Sequence, residues 1–87
     1  MPRVFIPPAI RPLTNGQEIV DVSGATVAEV IDNLNLRFPG TKDRLCRNGS
    51  IRAGLSVVVG GSVGALGLLQ STEPDVEVHF LPALGGG

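Results

Sequence analysis

One segment of this 87-residue chain has the full pattern of an amphipathic α-helix, and no other feature constrains the fold as strongly. Thr26 is a natural N-cap, and Glu29 three residues later completes a capping box. The segment keeps apolar side chains on one face until Pro39-Gly40 ends it. These apolar residues are Val27, Val30, Ile31, Leu34 and Phe38. A single helix cannot bury such a stripe alone, so we expect it to pack against a sheet formed by the rest of the chain.

Five other segments have β-branched or alternating apolar patterns that predict strands. They cover residues 3–6, 17–22, 55–59, a short stretch around 62–63, and 76–81. Asn15-Gly16 predicts a tight turn before the second strand, and Gly60-Gly61 predicts another after the third. Residues 41–47 are expected to form a further helical turn, which Asn48-Gly49 breaks.

The order of these elements predicts the fold class. It is hairpin, helix, strand, irregular segment and a last strand that Pro82 is expected to end. A strand–helix–strand connection favours parallel pairing with a right-handed crossover. We therefore predict an α+β fold of the β-grasp, or ubiquitin-like, type, with one main helix packed across a mixed four- to five-stranded sheet. Residues 1–82 are expected to form this single domain, and residues 83–87 a flexible Gly-rich tail.

Composition excludes several classes of protein. Seven basic and eight acidic residues give a net charge of −1, which argues against a nucleic-acid partner. One Cys and one His cannot form a closed zinc site, so we expect no bound metal. Residues 53–72 carry no charge, but five glycines make them a poor membrane helix, and we expect a buried hairpin there and no membrane contact. Pro7 and Pro8 interrupt the N-terminal apolar stretch, so no signal peptide is evident and we expect a cytoplasmic protein.

Few side chains in the sequence offer catalytic chemistry. Cys46 and His79 lack any orienting motif, so we expect a small buried hydrophobe and an outward-facing strand residue rather than a nucleophile–base pair. Five of the seven basic residues lie within sixteen positions, opposed only by Asp43. They are Arg37, Lys42, Arg44, Arg47 and Arg52. This cluster is either a solvated face or a docking patch for an acidic protein surface.

The C-terminus is the most distinctive segment. The chain ends in three glycines shortly after the last strand and Pro82. Such an end has no side chains to obstruct it, so it can enter a narrow cleft and present the Gly87 α-carboxylate to another protein's active site. The other interpretation is a frayed end without a role, and composition alone leaves both open.

The ending Phe80-Leu81-Pro82-Ala83-Leu84-Gly85-Gly86-Gly87 resembles the C-terminus of the ThiS/MoaD-type ubiquitin-like sulfur carriers. In that family a final strand is followed by Leu-Pro, small or apolar residues, and Gly-Gly. The stretch from Ile6 to Gly16, the helix entry Gly24-Ala25-Thr26-Val27 and the helix exit Phe38-Pro39-Gly40 resemble the CysO-like branch, which serves cysteine synthesis. The resemblance covers essentially the whole chain.

The resemblance implies a carrier that is not itself an enzyme. A ubiquitin-activating-enzyme-like adenylyltransferase would use ATP to adenylate the Gly87 carboxylate, and a sulfur donor would then convert it to a thiocarboxylate. A sulfur-acceptor synthase would receive the sulfur. The resemblance also implies that Pro82, Ala83, Leu84, Gly85 and Gly86 contact these partners and that the carrier binds no cofactor of its own.

Three alternatives stay open at this stage. The chain could be the small subunit of molybdopterin synthase, although the Phe-Phe-Ala start typical of that branch is absent. It could be a ubiquitin-like modifier joined to lysines through Gly87. It could also be a binding module whose tail has no role.

Overall fold

The structure is a computed structural model that describes residues 1–64 and 66–82. Within this range the strands are β1 (Arg3–Phe5), β2 (Ile19–Asp21), β3 (Cys46–Arg47), β4 (Ser50–Ile51), β5 (Leu55–Val59), β6 (Ser62–Val63) and β7 (Glu77–Pro82). The α-helices are α1 (Val27–Arg37) and α2 (Thr41–Leu45), and 3₁₀ segments cover Pro8–Thr14 and Gly67–Leu69.

Five strands form one mixed sheet in the order β2-β1-β7-β5-β6. β1 is antiparallel to β2 and parallel to β7, and β5 is antiparallel to both β7 and β6. The predicted β-grasp architecture is confirmed, but the expected parallel pairing across the helix is wrong. β2 and β5 run in the same direction, yet β1 and β7 lie between them. The parallel pair in this sheet is β1 with β7, because β2 turns back onto β1 as an antiparallel neighbour and β7 fills the position between β1 and β5.

Helix α1 begins as its capping pattern predicts. The Thr26 hydroxyl accepts a hydrogen bond from the Glu29 amide at 3.2 Å, and the Glu29 carboxylate accepts one from the Ala25 amide at 3.2 Å. The predicted apolar stripe faces the sheet, and Val27, Val30 and Leu34 are fully buried. The helix therefore covers one face of the sheet and leaves the other uncovered.

Two tight hairpins lie in the second half of the chain. Gly60 and Gly61 have φ of 59° and 83° and join β5 to β6, which confirms the hairpin predicted there. The prediction that this hairpin is buried is wrong for β6, because β6 lies at the edge of the sheet and both of its residues are exposed. Among the described residues, no helix is long and apolar enough to cross a bilayer. A second hairpin, β3–β4, replaces the end of the helical turn expected at 41–47, because α2 ends at Leu45.

Candidate functional site

The strand β7 carries the chain to the point where the predicted tail begins. Its Leu81 pairs with Ser56 and its Pro82 pairs with Leu55, so the strand runs one residue further than expected. The hydrogen bond from the Gly60 amide to the Glu77 carbonyl (2.9 Å) sets the alternation of the antiparallel ladder. Leu55–Pro82 is therefore a non-hydrogen-bonded pair, and the missing N–H of proline costs the ladder nothing.

Pro82 lies exposed at the end of β7. It is the one predicted partner-contact residue that the structure describes. The others and the proposed attachment point lie outside the described residues: Ala83, Leu84, Gly85, Gly86 and Gly87.

The uncovered side of the sheet, here called the open face, carries a row of largely apolar side chains. The register aligns one residue from each of the five strands across it. In sheet order they are Ile19, Phe5, His79, Val58 and Val63. We call these five residues the open-face row. Ile19 and Val63 at its ends are 47% and 70% exposed, and the three central residues are half-buried.

The centre of the open-face row is an aromatic stack. The rings of Phe5 and His79 lie with centroids 4.0 Å apart and planes 12° from parallel. The His79 Nε2 atom also lies 3.2 Å from a carboxylate oxygen of Glu77. These two contacts fix the orientation of the His79 ring beside Phe5.

The open face becomes more apolar toward the C-terminus. Arg3 pairs with both Asp21 and Glu77 in one charged row. The open-face row comes next, and Leu81, 47% exposed, follows on β7. A solvated face of an antiparallel sheet is ordinarily polar, so an apolar patch here is typical of a surface that another protein covers.

Sequence reasoning placed His79 on the outer face but did not find the row. Only the cross-strand register shows that Ile19, Phe5 and Val63 align with it, and register was not deduced from the sequence. The alternation of the last strand was the available signal, because buried Val78 and Phe80 require His79 and Leu81 to face outward.

Cys46 and His79 lie on opposite sides of the sheet. Cys46 belongs to the buried core between the sheet and the helices, as expected of a small hydrophobe. Burial raises the pKa of its thiol, which keeps it protonated and weakens it as a nucleophile. Within residues 1–64 and 66–82, no three His, Cys, Asp or Glu side chains are grouped closely enough to hold a metal ion.

The basic cluster does not form one continuous surface. Arg37 extends toward β2 and away from the other four basic residues. Its guanidinium donates to the Asp21 carbonyl at 2.7 Å and lies over the Phe38 ring. The remaining four surround α2 and the β3–β4 hairpin: Lys42, Arg44, Arg47 and Arg52. A docking role for this reduced set stays a prediction at this point.

Lys42 and Arg52 are held in place by neighbours on the same side of the molecule. The Lys42 ammonium donates to the Asp32 carboxylate at 2.7 Å, and this contact raises the pKa of Lys42. The Arg52 guanidinium donates to the Asp43 carbonyl at 2.8 Å. Arg44 and Arg47 are exposed, and neither forms an ion pair with another residue in the described range.

Known proteins resemble the chain in both sequence and structure. The sulfur carrier protein CysO of Mycobacterium tuberculosis is 32% identical over 97% of this chain and 96% of its own length. A chain in the crystal structure of the Amycolatopsis orientalis BexX/CysO complex superposes with a TM-score of 0.91 at 31% identity, with full coverage of both chains. No protein-family model matches the sequence.

A more distant likeness concerns the fold alone. Small archaeal modifier protein 1 of Haloferax volcanii superposes with a TM-score of 0.72 at 24% identity, covering 99% of this chain and 98% of that one. The CysO likeness, by contrast, extends over nearly the whole of both sequences. The chain therefore belongs to the CysO-like branch of the ThiS/MoaD-type ubiquitin-like sulfur carriers.

Proposed function

We propose that this chain carries sulfur as a thiocarboxylate at Gly87, and that it donates this sulfur in the biosynthesis of cysteine or another sulfur-containing metabolite. Membership of the CysO-like branch supports the carrier role. The observation that carries the proposal for this chain is the path of β7, which brings the chain to exposed Pro82 beside an apolar open face.

The chemistry begins with a poor electrophile. A carboxylate resists attack, so the Gly87 carboxylate first attacks the α-phosphorus of ATP in a partner adenylyltransferase, and pyrophosphate leaves. A sulfur nucleophile then attacks the carbonyl carbon of the acyl-adenylate, and AMP leaves with the bonding electron pair. The resulting thiocarboxylate is a stronger nucleophile than the original carboxylate and attacks the acceptor held by a synthase.

Chain length fits delivery to a recessed active site. Five residues follow Pro82, and five residues span at most about 18 Å when fully extended. The last three are glycines, whose lack of a Cβ allows close approach of partner backbone on every side. Under this proposal Ala83 and Leu84 contact the mouth of the partner's cleft, and Gly85 and Gly86 pass through its narrow part.

The open face supplies the docking surface in this proposal. Leu81 and the open-face row lie next to the start of the tail and offer a flat apolar area that a partner enzyme can cover. The related Amycolatopsis chain occurs in a complex with BexX. We propose that this chain also forms a complex with a partner enzyme and that its open face is the contact surface.

Intact-mass measurement tests the proposal directly. The full chain is incubated with its cognate adenylyltransferase, ATP and a sulfide donor, and the expected product has one oxygen exchanged for sulfur. Omission of ATP must abolish the exchange. An unmodified mass, with the same enzyme shown to be active on another carrier, overturns the proposal.

Two variants locate the reaction on the tail. Replacing Gly86 by leucine is expected to prevent charging, because a branched side chain cannot enter a cleft shaped for glycine. Replacing Leu36 by serine is the matched control, since Leu36 is 79% exposed on α1 and belongs neither to β7 nor to the open-face row. Equal charging of both variants contradicts the assignment. Accumulation of lysine conjugates in place of thiocarboxylate supports the modifier alternative.

A further inference from the structure

A second surface lies on the helix side of the sheet, away from the open face. A depression of about 630 Å³ adjoins another of about 220 Å³, and the two share Ala28, Gly49 and Leu68. We call them together the hairpin groove. Ile51, Leu66 and Leu69 line its apolar part. Its charged part is lined by Lys42 and Arg47 together with Asp32 and Asp43. None of these residues belongs to the open-face row or to β7.

The apolar part of the hairpin groove is unusually exposed. Leu66 and Leu69 are 60% and 74% exposed, and Ile51 and Leu68 are half-buried beside them. Single exposed leucines are common on protein surfaces, but neighbouring ones that line a concave surface indicate a binding site.

The walls of the hairpin groove are fixed by backbone hydrogen bonds. The Leu69 amide donates to the Leu66 carbonyl at 3.0 Å, and the Val27 amide donates to the Gln70 carbonyl at 2.9 Å, which ties the 3₁₀ segment to the start of α1. On the other side, the Arg52 amide donates to the Leu45 carbonyl at 2.9 Å and holds the β3–β4 hairpin against α2. A preformed groove of this kind costs a ligand little ordering entropy on the protein side.

The turn at the tip of the hairpin defines the backbone position from which the Arg47 side chain extends. Asn48 and Gly49 have φ of 53° and 76°, the left-handed pair that a two-residue turn between twisted strands requires. Arg47 stands directly before this turn, exposed and without an ion-pair partner among the described residues. Its guanidinium is therefore available to a carboxylate from another molecule.

Charge is distributed unevenly over the molecule. The neighbourhood of the hairpin groove holds four of the seven basic residues but two of the eight acidic ones, Asp32 and Asp43. The rest of the chain carries three basic and six acidic residues, and the net charge is −1. The groove side is thus positive on a molecule that is negative elsewhere, and such a field attracts and orients acidic ligands.

We infer that the hairpin groove binds an acidic segment of a partner protein that carries large apolar side chains. Leucine-sized side chains of the segment pack against Ile51, Leu66 and Leu69, and its carboxylates pair with Arg47. The groove lies on the side opposite the open face, so a partner can hold the carrier here while its tail is engaged elsewhere. The inference does not depend on charging of Gly87.

Amide chemical shifts of the full ¹⁵N-labelled chain test the inference. The probes are short synthetic peptides with leucines in a glutamate and aspartate background. We expect saturable binding that shifts the amides of Arg47, Ile51 and Leu69 but leaves those of Phe5 and His79 unchanged. Peptides with serine in place of leucine, or lysine in place of the acidic residues, are expected to bind at least about tenfold more weakly.

Matched variants separate a groove contact from general effects. Leu69→Ser is expected to weaken peptide binding roughly tenfold, and Leu36→Ser, an equally exposed leucine elsewhere, to leave it unchanged. Arg47→Glu is expected to weaken binding roughly tenfold, and Arg44→Glu, which changes the charge equally but does not line the groove, only about twofold.

Four results of the peptide experiments overturn the inference. They are no binding at peptide concentrations near about 1 mM, shifts centred on the open face, equal losses in the members of either variant pair, and undiminished binding of the leucine-free peptide. Concentration-dependent shifts of the groove amides without any peptide would assign the groove to a second copy of this chain and also overturn it.

Discussion

The open face and the hairpin groove use opposite means to present a binding surface. The open face is flat, built from five paired strands, and has the Phe5–His79 ring stack at its centre. The hairpin groove is concave and built from short irregular elements, and it combines leucines with Arg47, which has no ion-pair partner in the described part of the chain. One surface offers flat apolar area, and the other offers charge beside apolar side chains.

The difference follows from backbone geometry. A sheet fixes side chains in a regular array about 5 Å apart, which suits a broad contact next to the departing tail. Short turns present few side chains, but each can have its own backbone orientation. This suits the recognition of a narrow peptide segment. Under the two proposals, the fold therefore separates a surface for the charging enzyme from a surface for a second partner.

The largest expected effect comes from a substitution in the open face. Leu81→Asp places a carboxylate in the apolar area next to Pro82, and a desolvated charge there is expected to raise the KM of the adenylyltransferase for the carrier roughly thirtyfold. Steady-state charging assays measure this, with Leu36→Asp as the exposed control. An unchanged KM for Leu81→Asp removes the open face from the docking surface.

Ionic strength is expected to separate the two surfaces by a smaller factor. Peptide binding at the hairpin groove is expected to weaken roughly fivefold between low and high salt, because screening shortens the reach of Arg47 and Lys42 charges. Docking through the open-face row is expected to change less than about twofold. Titrations at several salt concentrations provide the measurement, and an equal salt dependence at both surfaces contradicts the contrast.

Alkaline pH is expected to affect the groove side more than the open face. Burial raises the pKa of Cys46 above its ordinary value of 9.0, and Asp32 raises that of Lys42. Both folded forms hold their protons longer than the unfolded chain, so this stabilisation is complete below the unfolded pKa values and is lost as pH rises through the folded ones. Urea unfolding across alkaline pH measures the loss. In the Cys46→Ala variant, the part of this loss that begins at the lower pH is expected to disappear. An unchanged pH profile in that variant argues against assigning this part to Cys46.

The smallest expected effect is the coupling between the surfaces. Because Leu81 and Leu69 lie on opposite sides of the sheet, the changes in unfolding free energy caused by Leu81→Asp and Leu69→Ser should add within about 0.5 kcal/mol in the double variant. Denaturant titrations of the four proteins complete the cycle. A larger coupling means that the two surfaces are not independent.

Local patterns in the sequence predict most of the fold. The Thr26–Glu29 cap, the helix stripe and the Gly60-Gly61 turn depend on residues close in sequence, so they can be recognised there. The β3–β4 hairpin was not predicted from the sequence, because two-residue strands show no alternation of apolar and polar residues, although Asn48-Gly49 is itself a turn signal.

Long-range register limits prediction of the candidate sites. The open-face row joins Ile19 to His79, sixty positions apart, and the hairpin groove joins Arg47 to Leu69 through packing that no local pattern encodes. Pro82 illustrates the same limit. A proline in the sequence suggests the end of a strand. Pro82 nevertheless lies within β7, because it occupies a non-hydrogen-bonded position of the ladder, and only the strand pairing shows this.

The central place of β7 has a consequence for biosynthesis of the protein. Strand β7 fills the gap between β1 and β5, so the sheet cannot close while residues 77–82 are still being translated or lie within the exit tunnel. A chain that terminates before residue 77 lacks this central strand. Every molecule that completes this sheet has therefore been translated at least through Pro82, and the fold itself excludes most truncated products from the pool of carriers.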